Sequence, residues 1–387
     1  MNNESLTNIL HHMGEDDNPY GAVSPPIYQT SIFSFKSFAE FREVFNNGDY
    51  ASLYTRGNNP TVMLAEKKIA ALEHAERAKL LSSGSSAISH AIMAFVKSGD
   101  HVICVEDCYG WACNMVSQYL PRFGVSHTFV DGKDPQEVID AIRPETKVIY
   151  LESPTSMTFK LQDFTAIAAE ARKRGIKTIT DNTWATPIYC NPIKLGIDIS
   201  VHSGSKYFCG SSDIIAGVVT GSNEDISLIM NQEFLQLGTT PDPFMAWLLI
   251  RGLRTLHIRM KAHYEGALRV ASFLSQHPAV ESVIYPMLPS HPQHELAKRL
   301  FSGGSGLLGM RLKTKRFADI IRFIDTIRLF KRAVSWGGYE SLIFPAALKY
   351  YREEDVPPDR LSLIRLHVGL ESVEDLCGDL ENALGIL

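Results

Sequence analysis

Ile199–Asp213 reads I-S-V-H-S-G-S-K-Y-F-C-G-S-S-D, and this stretch sets the expectation for the fold. The β-branched residues Ile197, Ile199 and Val201 mark a buried strand that gives way to small and polar residues, then Lys206 and Gly210. In parallel α/β sheets, ligands collect where strands open into loops at their carboxyl ends. Lys206 stands at such an end, preceded by the hydroxyls of Ser203 and Ser205 and followed by an aromatic ring. A partly desolvated amine there loses some of its preference for the ammonium form and can attack carbonyls. Lys206 is therefore read as the lysine that carries pyridoxal 5′-phosphate (PLP) as a Schiff base, the alternative for an isolated S-G-S-K being a solvated surface charge.

Outward from this loop, strand patterns recur at Lys79–Leu81, His101–Glu106, His127–Val130, Lys147–Leu151 and Lys177–Asp181. Helical stretches such as Phe164–Arg174 separate them, and Val218–Gly221 reads as a further strand, antiparallel if the sheet is mixed. Alternation at this spacing predicts a mainly parallel sheet covered on both faces. Tyr109, Glu152–Ser153, Asp181–Asn182 and the lysine loop then share one sheet edge. The small-residue loop Ser82–Ala87 feeds a helix, whose N-terminal N–H groups suit a phosphate; a serine N-cap is the competing reading.

The flanks differ. Residues 1–52 read as an arm: a short amphipathic helix (Leu6, Ile9, Leu10, Met13), then an extended stretch from Ala22 to Phe35 whose paired prolines exclude helix. Such a segment is expected against a neighbouring subunit. Residues 53–243 form the expected sheet domain, ending at the T-T-P-D-P break. Residues 244–387 form a smaller α+β domain, opening on one long helix from Phe244 to Gln276.

The 387 residues are 45% hydrophobic and 21% charged, with a net charge of −5 and no Lys/Arg block. Nucleic acid and anionic membranes are poor partners for such a chain. No apolar run approaches a membrane span, and no secretion signal is read, so a cytoplasmic protein is expected. Six cysteines without C-x-x-C fit reduced thiols, with no metal site expected.

Eight segments, in order from Pro25 to Glu371, carry a resemblance: P-P-I-Y-Q-T-S, Y-T-R-x-x-N-P-T, E-S-P-T, D-N-T-W-A-T-P, H-S-x-S-K-Y, R-G-L-R-T-L-H-I-R-M, S-W-G-G-Y-E-S-L and R-L-H-V-G-L-E. Together they resemble the Cys/Met-metabolism branch of PLP-dependent enzymes, which have the aspartate-aminotransferase-like fold (fold type I). The tryptophan in S-W-G-G-Y-E-S-L is most similar to the bacterial cystathionine β-lyases; γ-lyases and γ-synthases usually have a smaller aliphatic residue there. The resemblance implies an α/β PLP-dependent transferase fold with a seven-stranded-type sheet, PLP as cofactor and a homotetramer built from active-site-sharing dimers. It also implies C–S β-elimination from L-cystathionine in transsulfuration and methionine biosynthesis, with γ-elimination or γ-replacement as the alternative.

The same resemblance implies residue roles. Lys206 would bind the cofactor and move the Cα proton, and Asp181 would pair with the pyridine nitrogen, its rival reading being a helix N-cap. Tyr109 would stack on the ring. Gly84, Ser85, Ser203 and Ser205 would hold the phosphate, joined by Tyr54 and Arg56 from a neighbouring subunit. Arg365 would grip the substrate α-carboxylate, its rival reading being a structural ion pair, with Ser335, Trp336, Trp111 and Tyr54 lining the pocket. Departures from the family pattern fall at Asn58, Ser85, Trp111, Ser156 and Ser211, and bear on substrate identity more than on cofactor or fold.

Overall fold

The structure, a computed structural model, describes residues 5–46, 50–350 and 352–387. Residues 1–4 and 47–49 of the arm and residue 351 of the C-terminal region lie outside the described residues.

Among the described residues the β-branched runs assemble into one sheet. Its strands are β1 (Arg77–Leu81), β2 (His101–Val105), β3 (Ser126–Val130), β4 (Thr146–Glu152), β5 (Lys177–Asp181), β6 (Ile199–Ser203) and β7 (Gly217–Gly221), in the order β1-β7-β6-β5-β4-β2-β3. Strands β2 to β6 run parallel, and β7 is antiparallel to both β6 and β1. β2 is buried along its whole length, as expected of a sheet covered on both faces. Parallel pairing puts the carboxyl ends of β2, β4, β5 and β6 on one edge, and β4 and β5 bring Glu152 directly opposite Asp181.

A second sheet follows: β8 (Val280–Ile284), β9 (Leu307–Leu312), β10 (Lys331–Arg332), β11 (Leu342–Pro345) and β12 (Leu363–His367), ordered β10-β11-β12-β9-β8. Arg365 lies in its centre, between Phe344 on β11 and Gly309 on β9.

One expectation is corrected. The stretch expected as one helix from Phe244 to Gln276 is two, Pro243–Leu253 and Leu256–Gln276. At the join, a Cβ on Gly252 would lie 2.3 Å from the Phe208 carbonyl oxygen, so only glycine lets the helix approach the lysine loop this closely. Arg259, one turn into the second helix, donates to the carbonyls of Tyr207 and Gly252, both at 2.7 Å. The break thus serves to clamp the segment that follows Lys206.

Part of the arm packs on its own chain. Ile9 and Leu10 are buried in a cluster with Val62, Ala65 and Ile69 of the helix Pro60–Glu73. Lys68 Nζ reaches the Ile9 carbonyl at 3.1 Å and Glu15 at 2.9 Å, and Trp247 Nε1 donates to the Pro25 carbonyl at 3.0 Å. A helix absent from the sequence reading, Phe38–Asn46, follows; its Phe38, Phe41 and Phe45 are exposed.

Candidate active site

The shared edge of the first sheet and the β11–β12 face of the second enclose a cavity of about 1200 Å³. Lys206, Asp181, Tyr109, Gly84, Ser85, Ser203, Ser205, Ser335, Trp336, Trp111 and Arg365 all line it. Residues from distant parts of the chain are thereby gathered, Gly84 near one end and Arg365 near the other. Tyr54 and Arg56 are not among the lining residues of their own chain; Tyr54 bridges to Ile32, and both side chains are exposed.

Ser83 opens the helix Gly84–Met93 with a reciprocal capping box, accepting from Ser86 N–H at 3.1 Å while Ser86 Oγ accepts from Ser83 N–H at 3.0 Å. The first intrahelical bond runs from Ala87 N–H to the Ser83 carbonyl, so the N–H groups of Gly84 and Ser85 precede the ladder and are available to an anion. A Cβ on Gly84 would meet Ser203 Cβ at 2.9 Å, and one on Gly217 would meet the Ser83 carbonyl oxygen at 1.9 Å. Glycine at both points lets the helix start, β6 and β7 close into one small cradle. Ser205 Oγ accepts the Ala216 N–H at 2.9 Å.

On the floor, Asp181 Oδ1 accepts from Thr183 N–H at 2.9 Å and from Thr183 Oγ1. Both contacts fall on one oxygen, so the other remains for a ligand. Burial pushes the Asp181 carboxyl up, while Thr183, His202 and Lys206 pull it back toward the ionised form. Opposite it, burial and then the Asp181 charge push Glu152 well above the usual carboxylate range. Two like charges on facing strand ends do not both ionise easily, and the better-solvated partner is Asp181. Glu152 instead accepts the Tyr109 backbone N–H at 2.7 Å, fixing the tyrosine that starts the helix Gly110–Asn114. Asn182, expected on the site edge, turns inward, donating to Glu73 and the Cys190 carbonyl, each at 3.0 Å.

Lys206 Nζ donates to Ser335 Oγ and lies 5.7 Å from the centre of the Trp336 ring. Burial first, then the Arg365 charge, bring its amine down to about 8 from 10.5, with Asp181 opposing. Ser335 has φ +83°, and Gly337 φ +89°. A Cβ on Gly337 would meet the Lys206 Cα at 2.9 Å, and the Gly337 N–H donates to His367 Nε2 at 3.0 Å. The 335–337 loop is thus pinned against the lysine. Arg365 is stacked on Phe344, 5.3 Å from the ring centre, with the Ser335 carbonyl 3.4 Å from its Nη2. Burial lowers it to about 10, so it stays cationic at neutral pH. No ion pair engages it among the described residues, which disfavours the structural ion-pair reading.

These residues fit PLP: an amine of lowered basicity for the aldehyde, a carboxylate edge for the ring nitrogen, an aromatic ring at the side and a helix start with hydroxyls for the phosphate. Lys349 also lines the cavity and was missed from sequence, where K-Y-Y-R after P-A-A-L has no pattern to mark it.

The model of the family described as Cys/Met metabolism PLP-dependent enzyme matches residues 6–385. The L-methionine gamma-lyase of Porphyromonas gingivalis is 40% identical over 97% of this chain and 96% of its own length. The cystathionine gamma-synthase of Mycobacterium tuberculosis is 39% identical over 98% and 96%, and the cystathionine gamma-lyase of Bacillus subtilis 37% identical over 98% of each. The crystal structure of metB from Corynebacterium glutamicum has a TM-score of 0.91 at 32% identity, covering 100% of this chain and 99% of that one.

Proposed function

The chain belongs to the Cys/Met metabolism family of PLP-dependent enzymes, and from that premise we propose that it is a carbon–sulfur β-lyase. Its substrate would be L-cystathionine or a related cysteine thioether, cleaved with one water to a thiol, pyruvate and ammonia. When bound, PLP supplies an electron sink for the pair released at the substrate Cα. Asp181 would keep the ring nitrogen protonated, and Gly84, Ser85, Ser203 and Ser205 would hold the phosphate. Tyr109, on the cavity wall, would stack on the ring. The Arg365 fork binds the α-carboxylate through two parallel N–H donors, which fixes the Cα–H bond toward Lys206. The Lys206 amine removes that proton, and the thiolate leaves from Cβ. Ser335, Trp336 and Trp111 line the leaving-group side. Tyr54 and Arg56 reach the phosphate and substrate of a neighbouring copy, which makes the working unit a dimer and, by resemblance, a tetramer of two such dimers.

The observation that carries the β reading is the 335–337 loop against Lys206. β-Elimination asks the lysine to serve one carbon, whereas γ-elimination asks it to remove a Cβ proton as well. With its amine held by Ser335 Oγ and its backbone packed against Gly337, Lys206 is set to serve one carbon. The names of the relatives favour a second reading, γ-elimination or γ-replacement with the same residues. Product analysis with L-cystathionine separates them: pyruvate and homocysteine support the β reading, while 2-oxobutyrate and cysteine overturn it.

A further inference from the structure

Arg365 and His367 stand two residues apart on β12, so their side chains leave the strand on the same face. Both reach the loop that holds Lys206. Arg365 Nη2 lies 3.4 Å from the Ser335 carbonyl, and His367 Nε2 accepts the Gly337 N–H at 3.0 Å. Arg365 lines the cavity, whereas His367 is 1% exposed and lies outside its wall.

The imidazole is wedged in place. Its centre is 5.9 Å from that of Tyr207, the residue after Lys206, and 5.2 Å from that of His263. A Cβ on Gly306 would stand 3.1 Å from its Nδ1, and the Gly306 N–H is tied to Tyr207 Oη at 2.9 Å. Among the described residues Nδ1 has no hydrogen-bond partner, while Nε2 faces the Gly337 N–H and, at 3.1 Å, the Gly338 carbonyl. A neutral ring serves one of these two at a time, and both belong to the same stretch of the loop. Burial, with His263 beside it, pushes this imidazole well below the usual histidine range, so the ring keeps a lone pair for an N–H. Gly337 is itself buried. Without an acceptor its N–H would be buried and unpaired, a cost the loop relieves by moving toward water and away from Lys206.

We propose that His367 is a positioning residue for the reaction, one that presses the 335–337 loop onto Lys206 from outside the cavity and so sets the aim and the burial of the amine. The proposal rests on the reading of Lys206 as the base of the lyase. It gives β12 two separate tasks: Arg365 holds the substrate, and His367 holds the group that attacks it.

The test compares His367→Leu, which has no acceptor, with His367→Gln, whose amide offers an oxygen to the Gly337 N–H and an N–H to the Gly338 carbonyl. With the PLP-loaded protein and L-cystathionine, read as total 2-oxo acid, the Leu variant should lose about tenfold in kcat. Its KM should stay within about twofold, because Arg365 is untouched, and the Gln variant should recover most of the kcat. With the cofactor-free protein, the pH midpoint of PLP uptake, at about 8 for the native amine, should rise by about one unit in the Leu variant as water reaches Lys206, and return in the Gln variant. A merely structural role would lower the Tm and leave that midpoint where it was. A native midpoint in the Leu variant, or equal midpoints in the Leu and Gln variants, overturns the proposal. If the Leu variant yields no folded protein, His367→Asn, too short to reach Gly337, is judged by the same criterion. If the native protein forms no 2-oxo acid from the thioether, the lyase reading falls, and the uptake midpoints alone decide the role of His367.

Discussion

Lys206 Nζ donates to Ser335 Oγ, and this bond ties the loop after β6 in the first sheet to the segment that precedes β11 in the second. The serine is held in a left-handed conformation, φ +83°, one that a non-glycine residue adopts only where its surroundings enforce it. The reactive amine is therefore positioned from both sheets at once. Ser335→Ala should leave cofactor binding intact and lower kcat about tenfold, while Lys206→Ala should lower it by a factor of about 1000 or more. Equal effects of the two substitutions would remove the positioning role.

The lowered basicity of Lys206 gives a pH signature. In the folded, cofactor-free protein the amine loses its proton at about 8, against 10.5 for an ordinary lysine. Between those values the unfolded chain binds more protons than the folded one, so this group makes stability rise with pH across that window. The rate of PLP uptake by the cofactor-free protein should rise with pH and level off above about 8, tracking the neutral amine. A midpoint near that of a free lysine would contradict the burial argument.

Asp181 offers a charge that an amide cannot. Asp181→Asn keeps the shape and the Thr183 contacts but removes the carboxylate that holds a proton on the ring nitrogen. Loss of one charge-assisted hydrogen bond, about 1.5–3 kcal/mol, should weaken PLP retention on dialysis by roughly 10- to 100-fold. Activity should fall further than retention. Retention equal to that of the native protein would leave Asp181 with only its turn contacts to Thr183, since the following helix begins at Thr186 with Ala185 at its N-cap.

Gly337 and Gly175 separate steric from conformational cost. Gly175 has φ +66° and nothing within 4 Å of where a Cβ would stand, whereas Gly337, at φ +89°, would press a Cβ onto the Lys206 backbone at 2.9 Å. Gly175→Ala should cost about 1 kcal/mol, the penalty of the left-handed conformation alone. Gly337→Ala should cost about 2–4 kcal/mol, with a lower Tm and impaired activity. Matching Tm changes would show that the 335–337 loop is free to move away from the lysine.

Much of this arrangement is legible in the sequence because strand ends announce themselves. Ile199–Val201 and Lys177–Ile179 are β-branched runs that stop at Ser203 and Asp181, and parallel pairing then forces both stops onto one edge. What is illegible depends on contacts between distant segments. The break at Thr255 is invisible because apolar spacing continues through it; the reason is the approach of Gly252 to Cys209. Asn182 looks like its neighbour Asp181, but Glu73, 109 positions away, turns it inward. Lys349 reaches the cavity wall only through the turn that follows β11, which no local pattern marks.

The proposed sharing of the site between copies is open to a complementation test. Tyr54 and Arg56 are exposed and do not line the cavity of their own chain, so each would act on a neighbour's site. Lys206→Ala and Arg56→Ala should each be inactive or nearly so alone. In a mixed dimer, however, the subunit with Arg56→Ala retains its own Lys206 and receives an intact Arg56 from its partner. One of the two sites is then whole. Random reassortment makes half of the dimers mixed, so mixing the two variants through an unfolding and refolding step should restore about one quarter of native activity, as two-fold symmetry requires. If Arg56 instead served its own chain, every site in the mixture would lack one of the two groups and no activity would return.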